Sequence, residues 1–141
     1  MQTFLPYADF HRSAEVLDRQ RLGKQRLETL QILRTLTGVS DGWKNHPAVK
    51  MWRGYERALL FYGYCICEAW KERGYIDNQY VAMLSTPVGD YLSRHDPLPP
   101  WVGCERFHAA HRSNLLRKNP EWYGQYGWKE SADLEYVWPV S

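Results

Sequence analysis

The chain is poor in cysteine, in long apolar runs and in net charge, and each shortage removes a class of protein. Cys65, Cys67 and Cys104 are an odd three among 141 residues, too few and too unevenly spaced for a disulfide framework. Cys65 and Cys67 sit two apart in an apolar stretch and read as buried thiols. No apolar run reaches the roughly 18 residues that would suggest a membrane span. The opening MQTFLPYADFHRS lacks a cationic stretch followed by an apolar core, so it does not read as a signal peptide. The expectation is a cytoplasmic chain. A net charge of only +2 excludes a general polycation. Gly-rich phosphate loops, a GxSxG elbow and HExxH are missing too, which removes the commonest signatures of nucleotide-binding, esterase and zinc-protease sites.

What the chain does have is aromatic side chains: 7 Trp, 10 Tyr and 4 Phe. Its length predicts one domain over 1–141 with enough residues for a core. Its charge is unevenly spread. Arg19, Arg21, Lys24 and Arg26 fall within eight residues without an acid, and Arg106, Arg112, Arg117 and Lys118 cluster later. Glu121, Glu130, Asp133 and Glu135 then oppose them. Basic patches interleaved with aromatics suit a nucleic-acid surface, although a solvated helical face has the same composition.

Periodicity predicts an all-α domain of three main helices with an aromatic C-terminal tail. The first helix spans about 13–36, with Ser13 as N-cap. Leu22, Leu30, Leu33 and Leu36 share one face; Arg21, Lys24, Glu28 and Gln31 share the opposite one. Arg26 is misplaced on this wheel. Either Gly23 breaks the helix, or Arg26 is held at an internal polar contact. The second runs from Pro47 to a stop at Gly74. Its stripe of Ala48, Trp52, Tyr55, Leu59, Tyr62, Ile66 and Ala69 marks it as the central core helix. A short helix is expected around 88–93. The third spans about 103–118 and ends before Pro120, with Phe107, Ala110 and Leu115 turned inward.

Two constellations could carry chemistry. Cys104, His108 and His111 would share one helical face and could ligate zinc, but no fourth ligand is evident. The two histidines read better as hydrogen-bonding or DNA-facing groups, and no metal is assigned. Glu28 is the only carboxylate between Asp18 and Asp41. Its basic neighbours favour its ionised form. It is either half of an intrahelical ion pair or a carboxylate kept on a phosphate-binding face to stabilise a cation on a sugar. NPEWYGQYG, 119–127, follows the last basic helix. Its Trp122, Tyr123 and Tyr126 could stack on bases or close the core as a lid.

Together these segments resemble the pyrimidine-dimer DNA glycosylase/AP-lyase family, which is phage endonuclease V-like. LDRQRLGKQRLETL (17–30) is similar to the family segment bearing the catalytic glutamate, and a gap-free match puts that residue on Glu28. RALLFYGYCICEAWKERGY (57–75) resembles the family's long helix. HAAHRSNLLRKNPEWYGQYG (108–127) resembles its basic last helix and WY-x-x-YG loop.

The resemblance implies a compact helical fold acting on damaged double-stranded DNA without a cofactor. A small enzyme that must embrace a duplex is expected to be a monomer, in the cytoplasm and associated with the nucleoid. It also implies a mechanism. The amino-terminal α-amine attacks the anomeric carbon, the base leaves, an imine forms, and β-elimination cuts the strand. An extruded base makes the stacked site reachable. An α-amine titrates near 7.7–8.0, against about 10.4 for lysine, so more of it is a free nucleophile at neutral pH.

About five extra residues precede the Glu28 helix relative to the family pattern. Gln2 is too bulky to favour removal of the initiator methionine, so the amine of Met1 is expected to serve, unless processing exposes Gln2. Arg26, two residues before Glu28, is expected to orient the carboxylate or an adjacent phosphate. Arg21, Lys24, Arg112, Arg117 and Lys118, with His108 and His111, are the expected DNA contacts. The alternatives are a DNA-binding domain without catalysis and a glycosylase for a different damaged or modified base.

Overall fold

Local chemistry sets most helix starts and stops, and tertiary contacts set the rest. The computed structural model describes residues 1–90 and 98–139. These residues are all-helical, without a strand. Three helices are long: α2 (Arg19–Leu36), α4 (Glu56–Glu72) and α6 (Glu105–Lys118). Shorter ones connect them: α1 (Phe10–Val16), α3 (Pro47–Lys50), α5 (Gln79–Leu84) and α7 (Pro120–Tyr123). Single 3₁₀ turns lie at Pro87–Asp90 and Gly124–Tyr126.

The expected first helix is two helices. Leu17 and Asp18 are extended between α1 and α2. Distant side chains take up the backbone groups freed at this corner. The Tyr123 hydroxyl accepts from the Asp18 N–H at 3.0 Å, and the Arg73 guanidinium donates to the Leu17 carbonyl at 2.6 Å. Ser13 is not an N-cap. Asp9 is, accepting from the Arg12 N–H at 3.0 Å, while buried Ser13 bonds both backbone groups of Tyr7. The second predicted helix is also divided. Gly54, at φ +90°, turns the chain between α3 and α4. Pro47 does open α3, and Gly74, at φ +91°, does end the α4 segment. Of the helix expected around 88–93, the described part is the 3₁₀ turn; residues 91–93 lie outside the described residues.

α2 and α4 form the centre, with α1 and α5 packed beside them. Leu22, Ile32 and Leu33 of α2 and Leu59, Tyr62 and Ile66 of α4 are fully or almost fully buried. Each large apolar side chain contributes about 1.5–3 kcal/mol by leaving water. Gly63 permits the close approach of α5, since a Cβ there would lie 2.5 Å from the Met83 sulfur. α2 passes Gly23 unbroken, and a Cβ at that position would meet the Trp70 ring at 3.1 Å. Cys65 and Cys67 are buried free thiols, as expected. Burial pushes Cys65 up to about 11.

The first residues are the least regular and among the most buried. Residues 2–6 are buried in non-helical backbone, so side chains must satisfy their polar groups. The Gln25 carboxamide accepts from the Phe4 N–H at 2.9 Å and donates to the Gln2 carbonyl at 2.7 Å. Nδ1 of His111 accepts from the Leu5 N–H at 2.9 Å, and Nδ1 of His108 lies 2.8 Å from the Leu5 carbonyl. The Arg112 guanidinium donates to the Pro6 carbonyl at 2.7 Å. Trp52 donates to the Thr3 hydroxyl at 3.0 Å. The amino-terminal segment is thus threaded between the helices and fixed to the core.

Candidate active site

The thread ends at Glu28. The N–H of Gln2 donates to Glu28 Oε2 at 3.3 Å, and Gln25 Nε2 donates to the same oxygen at 3.0 Å. Gln25 is held in turn by the Tyr62 hydroxyl, 2.6 Å from its Oε1. A buried amide on α2 therefore fixes both the carboxylate one turn later and the chain's first residues. Met1, Gln2, Phe4 and Glu28 line one cleft of about 250 Å³.

The rest of that cleft is basic. Arg21 and Lys24 come from α2 and Lys118 from the end of α6. Arg21 pairs with Asp18 at 3.2 Å. Lys24, Arg117 and Lys118 are exposed and have no ion-pair partner among the described residues. Partial burial holds the Lys118 ammonium below the usual lysine range, and the positive charges of Arg21, Arg117 and Lys24 add to the effect. Like charges brought together from two helices, with Glu28 the only carboxylate lining the cleft, make a surface suited to a polyanion.

Several expected contacts lie elsewhere. Arg26 points away from this cleft. Its guanidinium pairs with Asp77 at 3.2 Å and lies over the Trp70 ring, so it orients neither Glu28 nor a phosphate. This is the internal polar contact that its place on the helical wheel required. His108 and His111 are buried and serve the Leu5 backbone, so neither faces DNA. Nε2 of His108 also accepts from the Gly103 N–H at 2.9 Å. Both His108 nitrogens and Nδ1 of His111 are taken by backbone groups and Cys104 is exposed, so these three residues do not converge as a metal-ligand group. Among the described residues only exposed His11, Glu15 and Glu72 approach a metal-ligand arrangement. Arg112 is buried and forms ion pairs with Glu105 and Glu130, which spend the charge expected to meet phosphate.

The aromatic loop divides. Tyr123 is fully buried, its hydroxyl on Asp18, and closes the core. Tyr126 and Trp122 are half-buried. Trp122 donates to the Val16 carbonyl at 2.8 Å and, with Trp70, Gly23 and Leu27, lines an apolar groove. That groove shares Gln20 and Lys24 with the basic cleft.

Two residues near the site were not singled out by sequence reasoning. His46 caps α3 through Nδ1, 3.0 Å from the Ala48 N–H, and its ring contacts Trp43 and Trp138. Burial depresses its pKa, the positive amino terminus depresses it further, and Glu28 opposes them. It is therefore within electrostatic reach of both. Tyr136, from the tail, lines the cleft beside Glu28. His46 is an isolated histidine in the sequence, and Tyr136 lies in a stretch without periodicity, so neither left a signal of chemistry.

An amino terminus and a lone carboxylate in a cleft with Arg21, Lys24 and Lys118 fit the class of enzymes that work on a nucleic-acid backbone. The family profile described as pyrimidine dimer DNA glycosylase matches residues 1–83, and the chain belongs to that family. DNA as substrate and glycosylase as activity follow from that membership. The matched span contains Met1, Glu28 and His46; α6 and the tail lie beyond it. Neither the curated proteins nor the solved structures compared with the chain gave a match. None of the described helices is long and apolar enough to cross a membrane.

Proposed function

We propose that this glycosylase excises pyrimidine dimers from double-stranded DNA through the amino-terminal α-amine, and that it is also an AP lyase. The observation that carries this reading is the 3.3 Å bond from Gln2 N to Glu28. It brings the start of the chain to the one carboxylate of a basic cleft. The Met1 nitrogen attacks C1′ of the damaged nucleotide, the glycosidic bond breaks with its electron pair on the base, and the sugar opens to a protonated imine. Glu28 faces that cation and stabilises it. Abstraction of a C2′ proton then expels the 3′ phosphate by β-elimination. Arg21, Lys24, Arg117 and Lys118 hold the flanking phosphates, which positions the duplex without reading its sequence. The fixed thread holds nucleophile and carboxylate together before substrate arrives.

Borohydride trapping on duplex DNA with an abasic site, followed by peptide mapping, tests the nucleophile. The expected adduct is on Met1, and acetylation of the α-amine abolishes it. An adduct on a lysine, or none at all, overturns the assignment. The Glu28→Gln variant should lose strand scission by about 10²- to 10⁴-fold, the range of a lost general acid or base. Scission retained at the unmodified rate would remove Glu28 from the chemistry.

A further inference from the structure

Tyr136 is placed at the cleft by a segment remote from every other lining residue of α2 and the amino terminus. Its ring is fixed, edge-on to His111 at 5.5 Å between centroids and tilted against Trp138 at 5.6 Å. Its hydroxyl has no hydrogen-bond partner among the described residues. The polar tips of Trp52, Tyr62, Trp122, Tyr123 and Trp128 are all bonded within the protein. Tyr136 is half-buried and lines the cleft, so its O–H is open to a partner that arrives with substrate.

Its surroundings keep it a donor. Burial pushes the phenol up to about 12; Arg117 and Arg21 pull it down, and Glu28 raises it. The hydroxyl therefore lies within electrostatic reach of Glu28 and of two phosphate-binding cations, and keeps its proton throughout the neutral range.

We propose that Tyr136 is a catalytic residue for base departure, donating a hydrogen bond to the leaving pyrimidine. This rests on the α-amine mechanism above. As the amine nitrogen bonds to C1′, the C1′–N bond breaks and its electron pair passes into the pyrimidine ring. Negative charge gathers on the ring carbonyl oxygen beside the broken bond. The Tyr136 O–H donates to that oxygen and keeps its proton, and the base takes a proton from solvent. A donor fixed where charge develops contributes to rate without reorganising. Glu28 serves the cation on the sugar and Tyr136 the anion on the base, so one cleft handles both halves of the separating charge.

The role predicts a split between the two steps. Tyr136→Phe keeps the ring contacts and removes only the donor. On a dimer-containing duplex, single-turnover base excision, scored by alkaline cleavage of the abasic product, should fall on the order of 10²-fold. On a duplex carrying a preformed abasic site no base departs, and strand scission and borohydride trapping should stay within about twofold of the unmodified chain. Base excision unchanged in the variant overturns the proposal. Equal losses on both substrates overturn it too, because they indicate a structural or lyase role. A second variant, Tyr136→Leu, should match the phenylalanine variant in base excision if the hydroxyl alone matters; a loss seen only with leucine overturns the donor role. The parent reading fails separately: it falls if the unmodified chain traps no imine, whatever Tyr136 does.

Discussion

Arg112 and Lys118 stand on the same helix and in the same basic run, yet they meet opposite fates. Arg112 is covered by Glu105, Glu130 and the Pro6 carbonyl. Lys118 stands open beside three other cations. α2 repeats the contrast in two residues: Arg26 is consumed by Asp77 and Trp70, while Lys24 is exposed on the cleft. A basic residue is a structural part when the fold brings it a carboxylate, and is left available to a phosphate when the fold brings it more cations. Composition cannot distinguish the two.

The open set gives the largest expected effect. Replacing Lys24, Arg117 and Lys118 together by alanine removes three of the proposed phosphate contacts. The slope of log affinity against log salt should become shallower by about 2.7, at roughly 0.9 per contact, and affinity for duplex DNA should fall on the order of 10²-fold at low salt. Thermal unfolding should be unchanged or slightly improved, since like-charge repulsion is relieved. An unaltered salt slope by fluorescence anisotropy would erase the contrast.

The consumed set should behave inversely. Arg112→Ala leaves Glu130 and the Pro6 carbonyl without their donor. Loss of charge-assisted bonds at a buried site costs about 2 kcal/mol, read as a lower denaturant midpoint. DNA affinity per folded molecule should stay the same. If Arg112→Ala weakens DNA binding at full foldedness, the division between the two sets is wrong.

The distinction was only partly legible beforehand. The three long helices follow from apolar stripes, and Glu28 stands out because a basic helix face carries a single acid. Arg26 was legible as a misfit, but Asp77, which explains it, lies far along the chain. The break at Leu17–Asp18 could not be read locally, because the groups that stabilise it belong to Arg73 and Tyr123. The histidines of α6 misled for a related reason. A helical wheel groups His108 and His111 on one face but cannot say that a buried amino-terminal thread will occupy it. Residues that serve irregular backbone leave no periodic trace, and this molecule's site is built on irregular backbone.

His111 offers the smallest and sharpest test of that thread. Burial, reinforced by neighbouring His108, depresses it from 6.5 to about 3, and its accepted bond from Leu5 requires the neutral ring. The unfolded chain therefore binds a proton near pH 6.5 that the folded chain refuses until near pH 3. Stability from this group is complete above the unfolded value and is lost as pH falls through that window, by about 1.4 kcal/mol per pH unit. His108, also depressed by burial, adds in the same direction. Urea midpoints taken between pH 6.5 and 5 should fall accordingly. In His111→Phe the midpoint should start lower, because Leu5 N–H loses its acceptor, but its dependence on pH should flatten. Because the same bond helps hold the first residues beside Glu28, the variant should also lose imine trapping more than Lys118→Ala does. Retained trapping with a flattened pH slope would mean that the remaining bonds of the thread, from Gln25, Trp52 and Arg112, hold the amine in place without it.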